Sequence, residues 1–138
     1  MSKKSFIALS LTWGIVLSSV GGIVYALLRL LGKVPKKHGP ATYFEIGSGW
    51  GGVNLGPIFV VNANSSERIL DHELGHGYQN CMLGPFFLII CIWSFARYHY
   101  RNVLKKLAPN KQLPPYDSIW FEGWATRLGG STFGRDTP

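Results

Sequence analysis

His72-Glu73-Leu74-Gly75-His76 decides how the rest of this chain is read. The pattern is H-E-x-x-H. Residues four apart on a helix share a face, so His72 and His76 point the same way and can hold a zinc ion between them. Glu73, beside the first histidine, can reach a zinc-activated water and take its proton. At this chain's residue frequencies a chance match arises in roughly half a per cent of sequences. The flanks are those of a helix. Asn64 and Glu67 form a capping pair, and Ile69, Leu70 and Leu74 supply an apolar stripe, which together predict a helix from about Ser65 to Asn80.

The chain has 138 residues, a net charge of +7 and 14% aromatic residues. Its length fits one domain. The Lys and Arg residues flank apolar runs, which points to anionic lipid headgroups and away from nucleic acid. Cys81 and Cys91 are too few for a disulfide framework and lie in or beside apolar sequence, where buried free thiols are expected.

Phe6 to Leu28 is 23 residues without a charge, preceded by Lys3 and Lys4 and followed by Arg29, Lys33, Lys36 and Lys37. As one helix it spans roughly 34 Å, enough for a bilayer core. It is longer than a signal-peptide apolar region and ends in Tyr25-Ala26-Leu27, a poor cleavage site. A retained transmembrane anchor over residues 1–32 is the expectation.

Beyond a basic linker, Ala41 to Ile46 and Val53 to Asn62 have strand character, the second interrupted by Gly56-Pro57. Proline inside a strand implies an edge. A β-hairpin with a free edge is therefore expected before the motif helix, where it could pair with an extended peptide or merely cover the helix. Gly47 to Gly52 is a glycine-rich loop without a phosphate-binding pattern.

Leu83-Gly84-Pro85 should end the motif helix. The apolar run to Ala96 is short for a clean crossing, and Arg97, His99, Arg101, Lys105 and Lys106 follow it with Tyr98 and Tyr100 interleaved. After the linker Pro109 to Pro115, Asp117 or Ser118 can cap a last helix, Ile119 to Leu128, stopped by Gly129-Gly130, with a tail from Ser131.

Catalytic zinc takes three protein ligands and keeps one open position. A third histidine at the spacing H-E-x-x-H-x-x-G-x-x-H is ruled out, because Gln79 and Met82 stand at those positions. Glu122 is the leading candidate, since a carboxylate in apolar company is costly unless paired or bound to metal. His99 and Asp117 remain behind it.

H-E-L-G-H at 72–76 with a later helical E-x-x-A, Glu122 to Ala125, resembles the gluzincin zinc metallopeptidases, including their membrane-bound members. The longer pattern HELGHGYQ…LGP and WFEGWA…LGG also resembles small H-E-x-x-H domains of bacterial polymorphic toxins. The likeness covers roughly residues 65–130. It implies that His72, His76 and Glu122 bind zinc and that Glu73 is the general base. Many gluzincins carry Asp four residues after the ligand glutamate to orient a histidine; here Thr126, a weaker acceptor, stands there.

Were residues 83–96 to cross the bilayer, the motif helix and Glu122 would lie on opposite sides, so that run must re-enter or lie buried. Residues 29–37 hold four Lys or Arg and residues 97–111 hold five, against two before the first run. With one crossing, the positive-inside rule puts both rich stretches in the cytoplasm.

The fold expected is α+β and mostly helical: a transmembrane helix, a small hairpin, the H-E-x-x-H helix, a re-entrant or buried apolar helix, and a last helix carrying Glu122. Residues 33–138 would form a zincin-like metallopeptidase domain. The expected function is a membrane-anchored zinc metalloprotease of the bacterial inner membrane, with Glu73 as base and a peptide or protein substrate. Tyr78, His99, Tyr116 and Arg127 are candidate oxyanion donors. The alternatives are a non-catalytic membrane protein with a structural or vestigial zinc site, or a zinc hydrolase of a lipid.

Overall fold

The glycine and proline signals that punctuate the sequence become the joints of an α+β fold in which helices predominate. The computed structural model describes residues 2–115 and 118–129. The expected cap and ligand alternative at Asp117, the oxyanion candidate Tyr116, the stop at Gly130 and the tail from Ser131 lie outside the described residues.

The charge-free run at the start is two helices, α1 (Lys3–Leu11) and α2 (Ile15–Leu30), bent by 97° at the break between them. This differs from the single straight helix expected. The cause is tertiary: the Trp13 indole donates to the Met82 carbonyl at 3.1 Å, and a Cβ added to Gly14 would lie 2.4 Å from Asn80 Nδ2. The joint is thus seated on the end of the motif helix. Phe6 of α1 is fully buried, edge-on to Tyr78, and Ser10 Oγ lies 3.4 Å from Cys81 Sγ. Counted as one broken span, the bent pair has the length and apolar composition of a membrane-crossing segment.

The expected hairpin is a four-stranded sheet of β1 (Lys36–His38), β2 (Ala41–Glu45), β3 (Gly52–Leu55) and β4 (Ile58–Val61), in the order β1-β2-β4-β3. β2 pairs parallel with β4, and the outer pairs are antiparallel. What reads as one interrupted strand is two, because Gly56 (φ 82°) turns the chain and lets Leu55 face Ile58. Such a two-residue turn needs positive φ, which glycine adopts at little cost. The open edges therefore belong to β1 and β3, and proline-flanked β4 is internal.

One face of the sheet carries Tyr43, Phe59 and Val61 against Leu70 and Leu74. On the other, Phe44 and Val60 meet Leu28. Burying side chains such as Phe44 and Phe59 contributes about 1.5–3 kcal/mol each.

Helix α3 (Glu67–Leu83) carries the motif. It starts later than expected, with Ser66 at the cap, since Asn64 takes a left-handed φ of 59°. It also runs past Asn80 to Leu83, where Gly84 (φ 57°) ends it. After a 3-10 turn over Gly84–Phe86, α4 extends over Phe87–Leu107, through the basic residues, with Lys105 and Lys106 in its last turn. That placement suits the negative end of the helix dipole. Only Phe87 and Ile90 of α4 are buried, so the run does not lie wholly inside the protein. An apolar window in Glu67–Leu107 has mean hydropathy 1.6 and is 22% buried.

The last helix, α5 (Trp120–Leu128), lies directly on α3. A Cβ on Gly75 would fall 1.7 Å from the Ala125 carbonyl oxygen, and one on Gly129 would fall 1.7 Å from that of Asp71. The glycine inside H-E-L-G-H is therefore what lets the two backbones touch. Gly75→Ala should force them apart and cost about 1–3 kcal/mol, read as a lower melting temperature by circular dichroism; an unchanged melt would contradict this packing.

Candidate metal centre

The close seating of α5 on α3 carries Glu122 into the gap beside the two motif histidines. Its Oε2 lies 3.0 Å from His72 Nε2 and 3.0 Å from His76 Nε2. One donor atom from each of His72, His76 and Glu122 lies within 4.8 Å of the other two. Glu122 is fully buried, and the Ser94 hydroxyl of α4 donates to its other oxygen, Oε1.

The far sides of both imidazoles are tied down as well. His76 Nδ1 is 2.7 Å from Gln79 Oε1, and Gln79 Nε2 donates to the Phe121 carbonyl at 2.7 Å. A carbonyl can only accept, so the Gln79 amide has one orientation, and its oxygen must receive a hydrogen from Nδ1. His72 Nδ1 is 2.8 Å from Thr126 Oγ1, whose hydrogen goes to the Glu122 carbonyl at 3.2 Å. His72 Nδ1 is then a donor too. Both Nε2 atoms are left with lone pairs aimed at a carboxylate oxygen, an arrangement that repels unless positive charge sits among the three atoms.

Protons are one source of that charge. Burial acts to lower the pKa of His76, but its hydrogen bond to Glu122 and the charges of Glu122 and Glu73, with Gln79 helping, bring it to about 9. Burial acts to raise Glu122, yet the hydrogen bonds and charges of His72 and His76 hold it well below the usual carboxylate range. A divalent cation is the other source. Two imidazole nitrogens and one carboxylate oxygen form a donor set suited to a metal with an open position. Among the described residues this group contains three His, Cys, Asp or Glu side chains and no fourth.

Glu73 stands beside the group, 6% exposed, its Oε2 without a hydrogen-bond partner. Burial pushes its pKa up, the imidazoles of His76 and His72 oppose this, and Glu122 adds to it. Space for the carboxylate comes from β3: a Cβ on Gly52 would lie 2.9 Å from Glu73 Oε1. Asn54 fastens the same strand to α3, donating to the Glu73 carbonyl at 2.9 Å. All four residues border a cavity of about 780 Å³ with β3 on one wall and α4 on the other.

Other sequence candidates lie elsewhere. His99 sits on exposed α4 against Phe95 and Tyr98 and is not in the donor group. Among the oxyanion candidates, Tyr78 packs in the core behind α3, Arg127 is exposed, and neither borders the cavity, nor does His99. The residues that sequence reasoning missed are Gln79, Ser94 and Gly52. Gln79 was visible only as the residue standing where the three-histidine pattern has glycine, although its i, i+3 spacing from His76 is the spacing of a helical partner.

His38, Glu67 and Asp71 also meet within 4.8 Å. There the carboxylates approach different nitrogens of one ring: Asp71 is 2.7 Å from Nε2 and Glu67 is 3.8 Å from Nδ1. One ion cannot be held by both nitrogens of an imidazole, so this is a hydrogen-bonded clasp between β1 and α3.

Compared with known proteins, the chain matches no family model, no curated protein and no solved structure.

The far-side bonds predict a graded result in metal titrations. If the group holds a divalent cation, Gln79→Ala and Thr126→Val should each weaken its binding roughly 10–100-fold while leaving one site per chain; Glu122→Gln should remove tight binding. Equal affinity in all three, by competition with a chromophoric chelator, would refute the donor set.

Proposed function

We propose that this chain is a membrane-bound, zinc-dependent metallopeptidase of the gluzincin type. The observation that supports it best is the meeting of His72 Nε2 and His76 Nε2 at one oxygen of Glu122, with the carboxylate of Glu73 beside them. His72, His76 and Glu122 would hold the metal. Zinc bound there would supply Lewis acidity, polarising a scissile carbonyl and making water acidic enough to attack near neutral pH.

The chain's own groups account for the rest. Glu73 takes the proton of the attacking water and returns it to the leaving amine. Its buried, hydrogen-bond-poor carboxylate and raised pKa suit a group that must both accept and release a proton. Gln79 and Thr126 keep the imidazoles in the tautomer that presents Nε2. The outer edge of β3 is the rail along which an extended peptide could add as a further strand. The oxyanion needs a donor from the same cavity, and Tyr98, Asn102 and Arg68 carry donors on its walls.

An open fourth position favours catalysis over a closed structural site. Lipid hydrolysis is the second reading, favoured by the apolar α4 residues Phe87, Ile90 and Phe95 on the cavity wall.

Glu73→Gln should keep one zinc per chain and lose peptide hydrolysis, while His72→Ala loses both. Cleavage of denatured protein substrates by Glu73→Gln would overturn the base assignment, and release of fatty acid from phospholipid without peptide cleavage would transfer the proposal to the lipid reading. Gly52→Ala, which crowds Glu73, should lower kcat with zinc content unchanged.

A further inference from the structure

The largest feature the catalytic reading leaves unused is an apolar surface. Helix α2 buries Leu17, Ser18, Gly21 and Leu28 against the fold. Its outer face, Ile15, Val16, Val20, Ile23, Leu27 and Leu30, is between 44% and 83% exposed. The rings of Trp13 and Phe86, themselves exposed, lie 6.2 Å apart and join this face to the start of α4. There Ile89, Ile92 and Phe95 are each at least 64% exposed. A continuous apolar surface of this kind marks a contact with a membrane or another protein.

Charge selects the membrane. Residues 1–44 and 74–116 contain no Asp or Glu and carry 11 of the chain's 14 Lys and Arg. Arg29, Lys33 and Lys37 follow the apolar face of α2, and Lys105 and Lys106 end α4. Apolar faces bordered by cations fit the acyl chains and headgroups of an anionic leaflet.

Packing argues against a crossing. A Cβ on Gly21 would lie 2.2 Å from the Leu55 carbonyl oxygen, and Leu28 packs on Phe44 and Val60. Along its length, then, α2 lies against the sheet, whose outer strands β1 and β3 have open edges. Were α2 to cross, those strands would be drawn into hydrocarbon, where open sheet edges are not tolerated. At 16 residues, α2 is also roughly 24 Å long, short of a core of about 30 Å. The 97° bend turns α1 back onto α3 instead of onward.

We propose that the protein is monotopic: the outer face of α2, the Trp13–Phe86 ridge and the start of α4 sink into one leaflet of an anionic bilayer, and the chain returns to the side it came from. This inference does not depend on the catalytic reading. Two measurements test it. In sealed membrane vesicles, protease should reach epitope tags at both ends of the full chain from the same face. The purified chain should bind phosphatidylcholine vesicles containing phosphatidylglycerol, less well at raised salt. Ile23→Glu with Leu27→Glu should reduce that binding at least about tenfold, with melting temperature and zinc content unchanged. If the double variant does not fold, Ile23→Ser with Leu27→Ser replaces it. Tags reached from opposite faces would overturn the proposal, as would undiminished vesicle binding by a folded variant. So would a wild-type dimer that ignores vesicles and dissociates on these substitutions, which would assign the face to a second copy of the chain.

Discussion

The fold turns on the contact between α3 and α5, where two helix backbones meet with no side chain between them. Gly75 faces the Ala125 carbonyl, and Gly129 faces that of Asp71. With larger residues at these points, α5 would stand off by the thickness of a side chain. Glu122 would then miss the imidazoles, and Gln79 and Thr126 would lose the partners that orient them. The site follows from this seam: two residues of one helix and one of another are brought within hydrogen-bonding distance by small residues at the crossing.

Placing three polar groups together in a buried seam has an electrostatic consequence. A carboxylate taken out of water loses several kcal/mol of solvation, and here its nearest neighbours are the lone-pair nitrogens of two rings whose hydrogens are committed elsewhere. A proton on His76 or a divalent cation among the three atoms balances the charge. The same seam makes Glu73 a poorly solvated carboxylate with an unsatisfied oxygen, so the groups best suited to bind a cation and to move a proton are adjacent for a single reason, their shared exclusion from water.

The N-terminal run shows tertiary packing overriding a local signal. Its composition is that of one long apolar helix, and nothing in residues 6–28 themselves requires a break. The break follows from Trp13, Gly14 and Asn80: an indole hydrogen-bonded to the Met82 carbonyl, and a glycine pressed against the amide of Asn80. Once bent, the run has two unlike sides. The inner side is held by the sheet and α3, and the outer remains exposed and apolar, which no hydropathy average distinguishes.

Local chemistry alone determined the motif helix, the α+β composition, the free cysteines, of which Cys81 is buried and Cys91 half-buried, and the pairing of Glu122, because a charge among apolar neighbours needs a partner wherever the chain places it. The helix starting at Glu67 and the turn at Gly56 were less legible, since capping and turn signals compete over one or two residues. Only the tertiary structure decided which strands hold the open edges, that α2 lies against the sheet, and that Gln79, Ser94 and Gly52 attend the site. The site contacts join residues far apart in the chain, 42 positions for Gln79 with Phe121 and 28 for Ser94 with Glu122. Contacts at that range leave no periodicity in the sequence for a local reading to find.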